Sequence, residues 1–331
     1  MTLSSRRIVL AAGAAALAAP LHARAQGIQD YPNRPVRFVL PAAPGSGVDI
    51  MTRALGDVVH RKTGRTFVVD NRNGAAGAIA ARHAAVQPAD GYTVFYGGPN
   101  FVILPVMNPA FAREIDVRRA FDPVTIAGSG PFVLVSSPKI PARDIVEFIA
   151  WLRENPGRWN FATSGVGATV HLLCELFRLR VGDLVGTMIP YRGDGPAVQA
   201  VANDEAQWTI AVSGSTKPFV DSGAVRAMAV TSPTRMAAMP SIPTLAETGL
   251  APGIETVAWL GYFVPAGTPP ACVDWLQRTI SAGMHDPAMR ERLDILGFEP
   301  AGSEPDALRK VVAQDLELWA RVVEEAKIPR A

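Results

Sequence analysis

The sequence predicts an α/β protein made of two strand–turn–helix blocks. Short β-type runs alternate with segments of helical spacing. The alternation pauses near Phe121 to Gly130 and then restarts. Glycine-rich turns recur where a strand should hand over to a helix. At 331 residues the chain also exceeds what one compact core usually holds, so two domains are expected.

The first block opens with Val36 to Leu40 as a strand. Pro41 to Gly47 is a turn, and Asp49 to Thr63 has helical spacing, with Ile50, Leu55, Val58 and Val59 apolar. Phe67 to Asp70 is a second strand, and Gly74 to Gly77 opens an alanine-rich helix running to about Val86. Tyr92 to Tyr96 is a third strand, stopped by Gly97-Gly98. The second block repeats the plan. Strands are expected at Phe132–Val135, Asn160–Thr163, Met188–Tyr191, Trp208–Val212 and Val225–Val230, with helices over Ala142–Glu154 and Thr169–Leu179. A proline-rich stretch, Met239 to Pro243, precedes one more strand at Trp259–Val264. The C-terminal part is helical over Ala271–Met284, Ala288–Leu296 and Pro305–Ala326, and Asp286-Pro287 is a helix-start signature.

Residues 1–25 are compositionally separate. Arg6-Arg7 gives a positive start, Ile8 to Pro20 is almost entirely apolar, and Ala23-Arg24-Ala25 supplies small residues at signal-peptidase spacing. The apolar run, about 13 residues, is short for a membrane span. An export signal cleaved near Ala25 is expected, hence a periplasmic location. The paired arginines before Ile8-Val9-Leu10 resemble a twin-arginine signal, and an ordinary signal peptide is the alternative. Removing the segment takes away three arginines and no acid, so the formal charge falls from +2 to −1. No basic stripe then remains to favour nucleic acid. The two cysteines, Cys174 and Cys272, fall in separate helical segments and are expected as buried free thiols in different lobes.

The informative chemistry lies in five turns: Pro44 to Gly47, Asn73 to Gly77, Gly97-Gly98 with Asn100, Ser164 to Gly167, and Arg192 to Pro196. Each follows a strand and precedes a helix. In open α/β sheets ligands bind beyond the C-terminal strand ends, where helix N-termini offer free N–H groups and partial positive charge. Both suit an anion such as a carboxylate, and glycine allows close backbone approach. Any single turn of this kind is explained by αβ connectivity; five at equivalent places in two blocks point to a site.

Enzyme signatures are poor. There is no H-E-x-x-H, P-loop or G-x-S-x-G, and Val170 stands where Gly165-Val166-Gly167 would need a third glycine. The histidines beyond the signal, His60, His83, His171 and His285, form no close metal-ligand pair, so no metal and no cofactor are expected. His171 lies one turn into its helix and either donates to a ligand or packs locally. Asp49 either stabilises its helix N-terminus or steers a ligand donor. Arg192 either pairs with a second carboxylate or is solvated.

In order and spacing these segments resemble the Bug (TctC-like) family, the extracytoplasmic receptors of tripartite tricarboxylate transporters. Tyr31-Pro32-Asn33-Arg34-Pro35-Val36 is similar to the family's start. Pro41 to Asp49 resembles its P-F-A-P-G-G-x-x-D loop, and Asn71 to Gly77 its N-R-P-G-A-x-G. Asp90-Gly91-Tyr92-Thr93, Pro190-Tyr191-Arg192-Gly193 with Gly195-Pro196-Ala197, and Pro265 to Pro270 match further family segments.

The resemblance implies a type II periplasmic-binding-protein fold: two α/β lobes around a central cleft, joined by crossing strands. Lobe 1 would be residues 26–127 with 232–331, and lobe 2 residues 128–231. The implied ligand is a small organic carboxylate held by loop backbone groups. The implied residues are Ala42, Ala43, Gly45, Ser46, Gly47, Asp49, Gly74, Ala75, Gly77 and Asn100 from the first lobe. Ser164, Gly165, Gly167, Thr169, His171, Tyr191, Arg192 and Ser213 come from the second. The implied partners are the membrane permease subunits of such a transporter, or a sensor receptor, with the receptor itself a monomer. Departures from the family pattern include Ala42 for a common Phe, Ser46 for Gly, Asp194 for Gly, and Val212-Ser213-Gly214-Ser215 for the usual Asp-Gly. They favour a ligand less polar than a tricarboxylate.

Overall fold

The computed structural model describes residues 30–182 and 184–330. The expected export segment lies outside the described residues.

Ten strands form one continuous sheet with two ends. At the first end, β1 (Val36–Leu40) lies between β2 (Phe67–Asn71) and β3 (Thr93–Gly97), all parallel. At the second end, β5 (Asn160–Thr163) lies parallel between β6 (Thr187–Pro190) and β7 (Trp208–Val212). The joining element is β4 (Phe121–Ser136). Its first part, to Pro131, pairs antiparallel with β9 (Val257–Pro265), which in turn pairs with β3. Its last part, from Phe132, pairs antiparallel with β7 and β8 (Arg226–Val230). A short β10 (Glu299–Pro300) adds to the middle of β4. The order β2-β1-β3-β9-β4-β7-β5-β6 is that of two α/β lobes around a cleft, and β4 and β9 cross between them.

The elements follow from local sequence. β1 is nearly continuous apolar residues because helices cover both of its faces. Helix Gly47–Thr63 ends on Gly64 at φ +70°, with the Gly64 N–H donating to the His60 carbonyl. Helix Pro270–Met284 has proline at its first position, where the missing N–H is no loss. The first-lobe core gathers Phe38, Leu55, Val58, Tyr262, Leu276 and Ile280. The second-lobe core is richer in rings: Phe161 stacks on Trp208 at 5.2 Å, Phe148 and Phe177 pack edgewise on Trp208, and Trp159 lies tilted against it. Each such pair adds about 1 kcal/mol beyond area burial. Cys174 and Cys272 are both buried and unpaired, one in each core.

Two features depart from the sequence reading. The junction at Phe121 to Gly130, to which the sequence assigned no element, is the first part of the crossing strand β4. The long C-terminal helix, Pro305–Glu325, serves both cores: Leu308 and Val312 pack with Phe95 and Phe101, whereas Trp319, Val322 and Val323 pack with Phe148 and Leu173. It thus braces the lobes from outside the sheet.

Candidate functional site

A cavity of about 900 Å³ lies between the lobes. The turns after β1 and β2 supply Pro41, Ala42, Asn73, Ala75, Ala76 and Gly77. The turn after β5 supplies Ser164 to Ala168. The helix Pro99–Met107, which follows β3, supplies Asn100, Phe101, Leu104 and Met107. Tyr96 and Val48 complete much of the wall, and Arg330 is the one charged residue among those lining it.

The turn after β2 is conformationally unusual. Four successive residues have positive φ: Gly74 (+126°), Ala75 (+47°), Ala76 (+52°) and Gly77 (+95°). Glycine tolerates this; alanine is strained, by roughly 1–3 kcal/mol per residue. Such strain persists where the surroundings over-determine it, and here it lines the cavity. The run leads into helix Ala78–Ala85, with the Gly77 N–H donating to the Gly74 carbonyl and the Ala78 N–H to the Ala75 carbonyl.

The other first-lobe turn is held rigid by Asp49, which is 3% exposed. Its Oδ2 accepts from the Gly45 N–H at 2.9 Å, and its Oδ1 from Asn71 Nδ2 at 3.0 Å. The Arg53 guanidinium binds both oxygens, and this donor holds the carboxyl at about 2, well below the usual range. Asp49 is therefore used inside the protein and does not line the cavity. Beside it the Ser46 hydroxyl is buried without a partner.

On the second-lobe side, His171 is buried behind its turn. The Gly167 N–H donates to His171 Nδ1 at 3.0 Å, which assigns the ring proton to Nε2. Burial first, and Arg178 second, lower its pKa, so the neutral ring is favoured. His171 shapes the Gly165–Gly167 backbone rather than lining the space. Asp194 is another supporting group. It accepts from the Val212 N–H at 3.2 Å and faces the Ser164 hydroxyl, and burial raises its pKa.

One side chain hydrogen-bonds from the first side of the cavity to the second. Asn100 Oδ1 accepts from the Thr169 N–H at 3.1 Å and from the Thr169 hydroxyl at 2.8 Å.

The structure brings Ala42, Ala75, Gly77, Asn100, Ser164, Gly165 and Gly167 to the cavity wall. Ala43, Gly45, Ser46, Gly47, Asp49 and Gly74 sit beside it in the same turns, and Thr169 and His171 sit behind it. Three candidates lie further off. Tyr191 is half-buried against the second-lobe core, its hydroxyl donating to Glu205 at 3.4 Å. Arg192 is exposed beside it. Ser213 is fully buried and donates to the Gly297 carbonyl at 2.8 Å, joining the lobes near β10. Sequence reasoning missed Tyr96, Phe101, Leu104, Met107 and Arg330. The helix Pro99–Met107 is apolar all round, so no face of it is marked as cavity-lining.

A cavity shared by turns from two α/β lobes joined by crossing strands is the arrangement of a solute-binding protein of the type II periplasmic fold. The TctC family model, tripartite tricarboxylate transporter family receptor, matches residues 51–328. The chain is 33% identical over 311 residues to Protein BugT of Bordetella pertussis (strain Tohama I), covering 94% of this chain and 93% of that one. Among solved structures it is similar to periplasmic binding protein BugD, at 30% identity and TM-score 0.75, covering 91% of this chain and 100% of that one. It is also similar to R. palustris Rpa4515 with adipate, at 30% identity and TM-score 0.77, covering 91% and 99%. The chain belongs to the tripartite tricarboxylate transporter receptor family, with the Bug proteins.

Proposed function

We propose that this chain, exported and cleaved near Ala25, captures one small organic carboxylate between its lobes and delivers it to the membrane permease of a tripartite tricarboxylate-type transporter. The observation that carries this reading is the composition of the cavity wall. Backbone turns of both lobes face one space, and the wall holds no acidic side chain among the described residues. Free N–H groups at helix starts favour an anion there. The remaining wall, with Phe101, Leu104, Met107 and Val48, is apolar and suits a ligand with a hydrocarbon body. The adipate in the R. palustris relative is a ligand of that kind.

The mechanism has no covalent step. The ligand carboxylate binds the strained turn at Ala75–Gly77, and Ser164 to Gly167 close over it. Closure follows only if the ligand binds the closed form better than the open one, so contact with both lobes is required.

Native mass spectrometry of the chain purified without denaturation tests this. The expected result is a bound mass matching one organic acid, removed by unfolding and refolding. A bound cation, nucleotide or uncharged sugar in its place would refute the carboxylate reading.

A further inference from the structure

Helix Thr169–Val181 starts without a cap of its own. Its N-cap residue is Ala168, extended at φ −77° and ψ 163° as is typical of that position, and alanine has no side-chain acceptor. The first N–H groups of a helix need partners from elsewhere. The Thr169 N–H finds one across the cavity, in Asn100 Oδ1. The Thr169 hydroxyl donates to the same oxygen.

This geometry fixes the other half of the Asn100 amide. A backbone N–H can only donate, so the atom facing it is the carbonyl oxygen. Nδ2, with two hydrogens, is turned away from Thr169. Asn100 itself borders the cavity. One planar group therefore accepts from the second lobe on one side and offers donors on the other.

We infer that Asn100 is a two-sided positioning residue: its Oδ1 caps the facing lobe's helix in the closed arrangement, while its Nδ2 donates to the ligand carboxylate. Ligand binding and the inter-lobe cap then orient the same amide, so each favours the other. An amide is the fitting group, since a carboxylate caps but repels an anion, and a hydroxyl lacks the reach to do both. The donor half of this inference rests on the carboxylate reading above; the cap half does not.

The two halves separate by experiment on the full mature chain. Amide hydrogen exchange of residues 165–172 without added ligand tests the cap. Asn100→Ala should speed exchange of the Thr169 amide by about tenfold, the scale of a lost cap. Asn100→Asp should leave it slow, because an accepting oxygen remains. Thr169→Val removes only the hydroxyl bond and should give an intermediate rate, which guards against misfolding of the alanine variant. Equal Thr169 exchange in wild type and Asn100→Ala overturns the cap. Calorimetric titration with adipate, malate and citrate tests the donor. Asn100→Asp should weaken whichever probe binds wild type by at least about tenfold, as expected for a lost bond to a charged group. Unchanged affinity overturns the donor role. If none of the three binds wild type, the donor role and the carboxylate reading both fail, while the exchange comparison still decides the cap.

Discussion

The indole Nε1 of Trp259 donates to the carboxylate of Asp315 at 2.9 Å. The bond ties the crossing strand β9 to the C-terminal helix that braces both lobes. Burial raises the Asp315 pKa to about 6, and the Trp259 donor only partly offsets this. The folded-state pKa lies above the unfolded one, so the folded state is penalised when the group ionises. The penalty is absent below the ordinary value of 3.8 and complete above about 6. Asp315→Asn should therefore raise stability at pH 8, on the order of 2 kcal/mol, and change it little at pH 4. Urea unfolding at the two pH values measures the difference.

His171 gives a dependence of the opposite sign. Its folded pKa is lowered from the ordinary 6.5, so the unfolded chain takes up a proton first. Stability should fall as pH drops through 6.5 toward the lowered value. His171→Ala removes that slope while leaving the Gly167 N–H without its acceptor. The check is the difference in unfolding midpoint between wild type and variant from pH 7.5 to 5.5. The variant is the less stable at pH 7.5, and the gap narrows on acidification.

Ala168 offers a gain. A serine there places a hydroxyl where helix Thr169–Val181 lacks its own cap. Ala168→Ser should add roughly 1 kcal/mol, the usual contribution of a helix cap. Thermal melting of the two proteins reads this directly.

Gly130 is required by contact rather than by backbone angle. A Cβ there would sit 2.0 Å from the Gly297 carbonyl oxygen, where β4 passes the loop leading to β10. Neither backbone has a side chain to rotate away. Gly130→Ala should destabilise by about 1–3 kcal/mol or displace the crossover. The unfolding midpoint measures the first outcome, and small-angle scattering the second.

The edges of the fold were easier to read in the sequence than its centre. Asn160–Thr163 and Trp208–Val212 begin and end where their β-type residues do, because both are short, buried, largely apolar strands. β4 was not legible from Phe121 to Pro131. Pro123, Gly128, Gly130 and Pro131 all argue against a strand. The sheet accommodates them because β4 changes partners along its length, with register shifts at Pro123/Thr125 and Ile126/Gly128. The cavity was half-legible for a similar reason. Turns such as Ala75–Gly77 and Ser164–Gly167 are marked by their glycines, whereas Phe101 and Met107 look like any core residue until the helix is placed. Asp49 and His171 have the residue types of a ligand site, yet the structure spends them on the backbones of the neighbouring turns.

The central claim is capture of an organic carboxylate between the lobes. The most direct test is a thermal-shift screen of the refolded mature chain against mono-, di- and tricarboxylates, with neutral amides of the same skeletons as controls. Refolding removes any captured ligand. At about 100 times the dissociation constant, the true ligand should add roughly 2.7 kcal/mol of stability. The account predicts a clear shift with one class of carboxylate and none with its amide. A shift with the amide equal to that with the acid, or with an unrelated solute while every carboxylate fails, would contradict it.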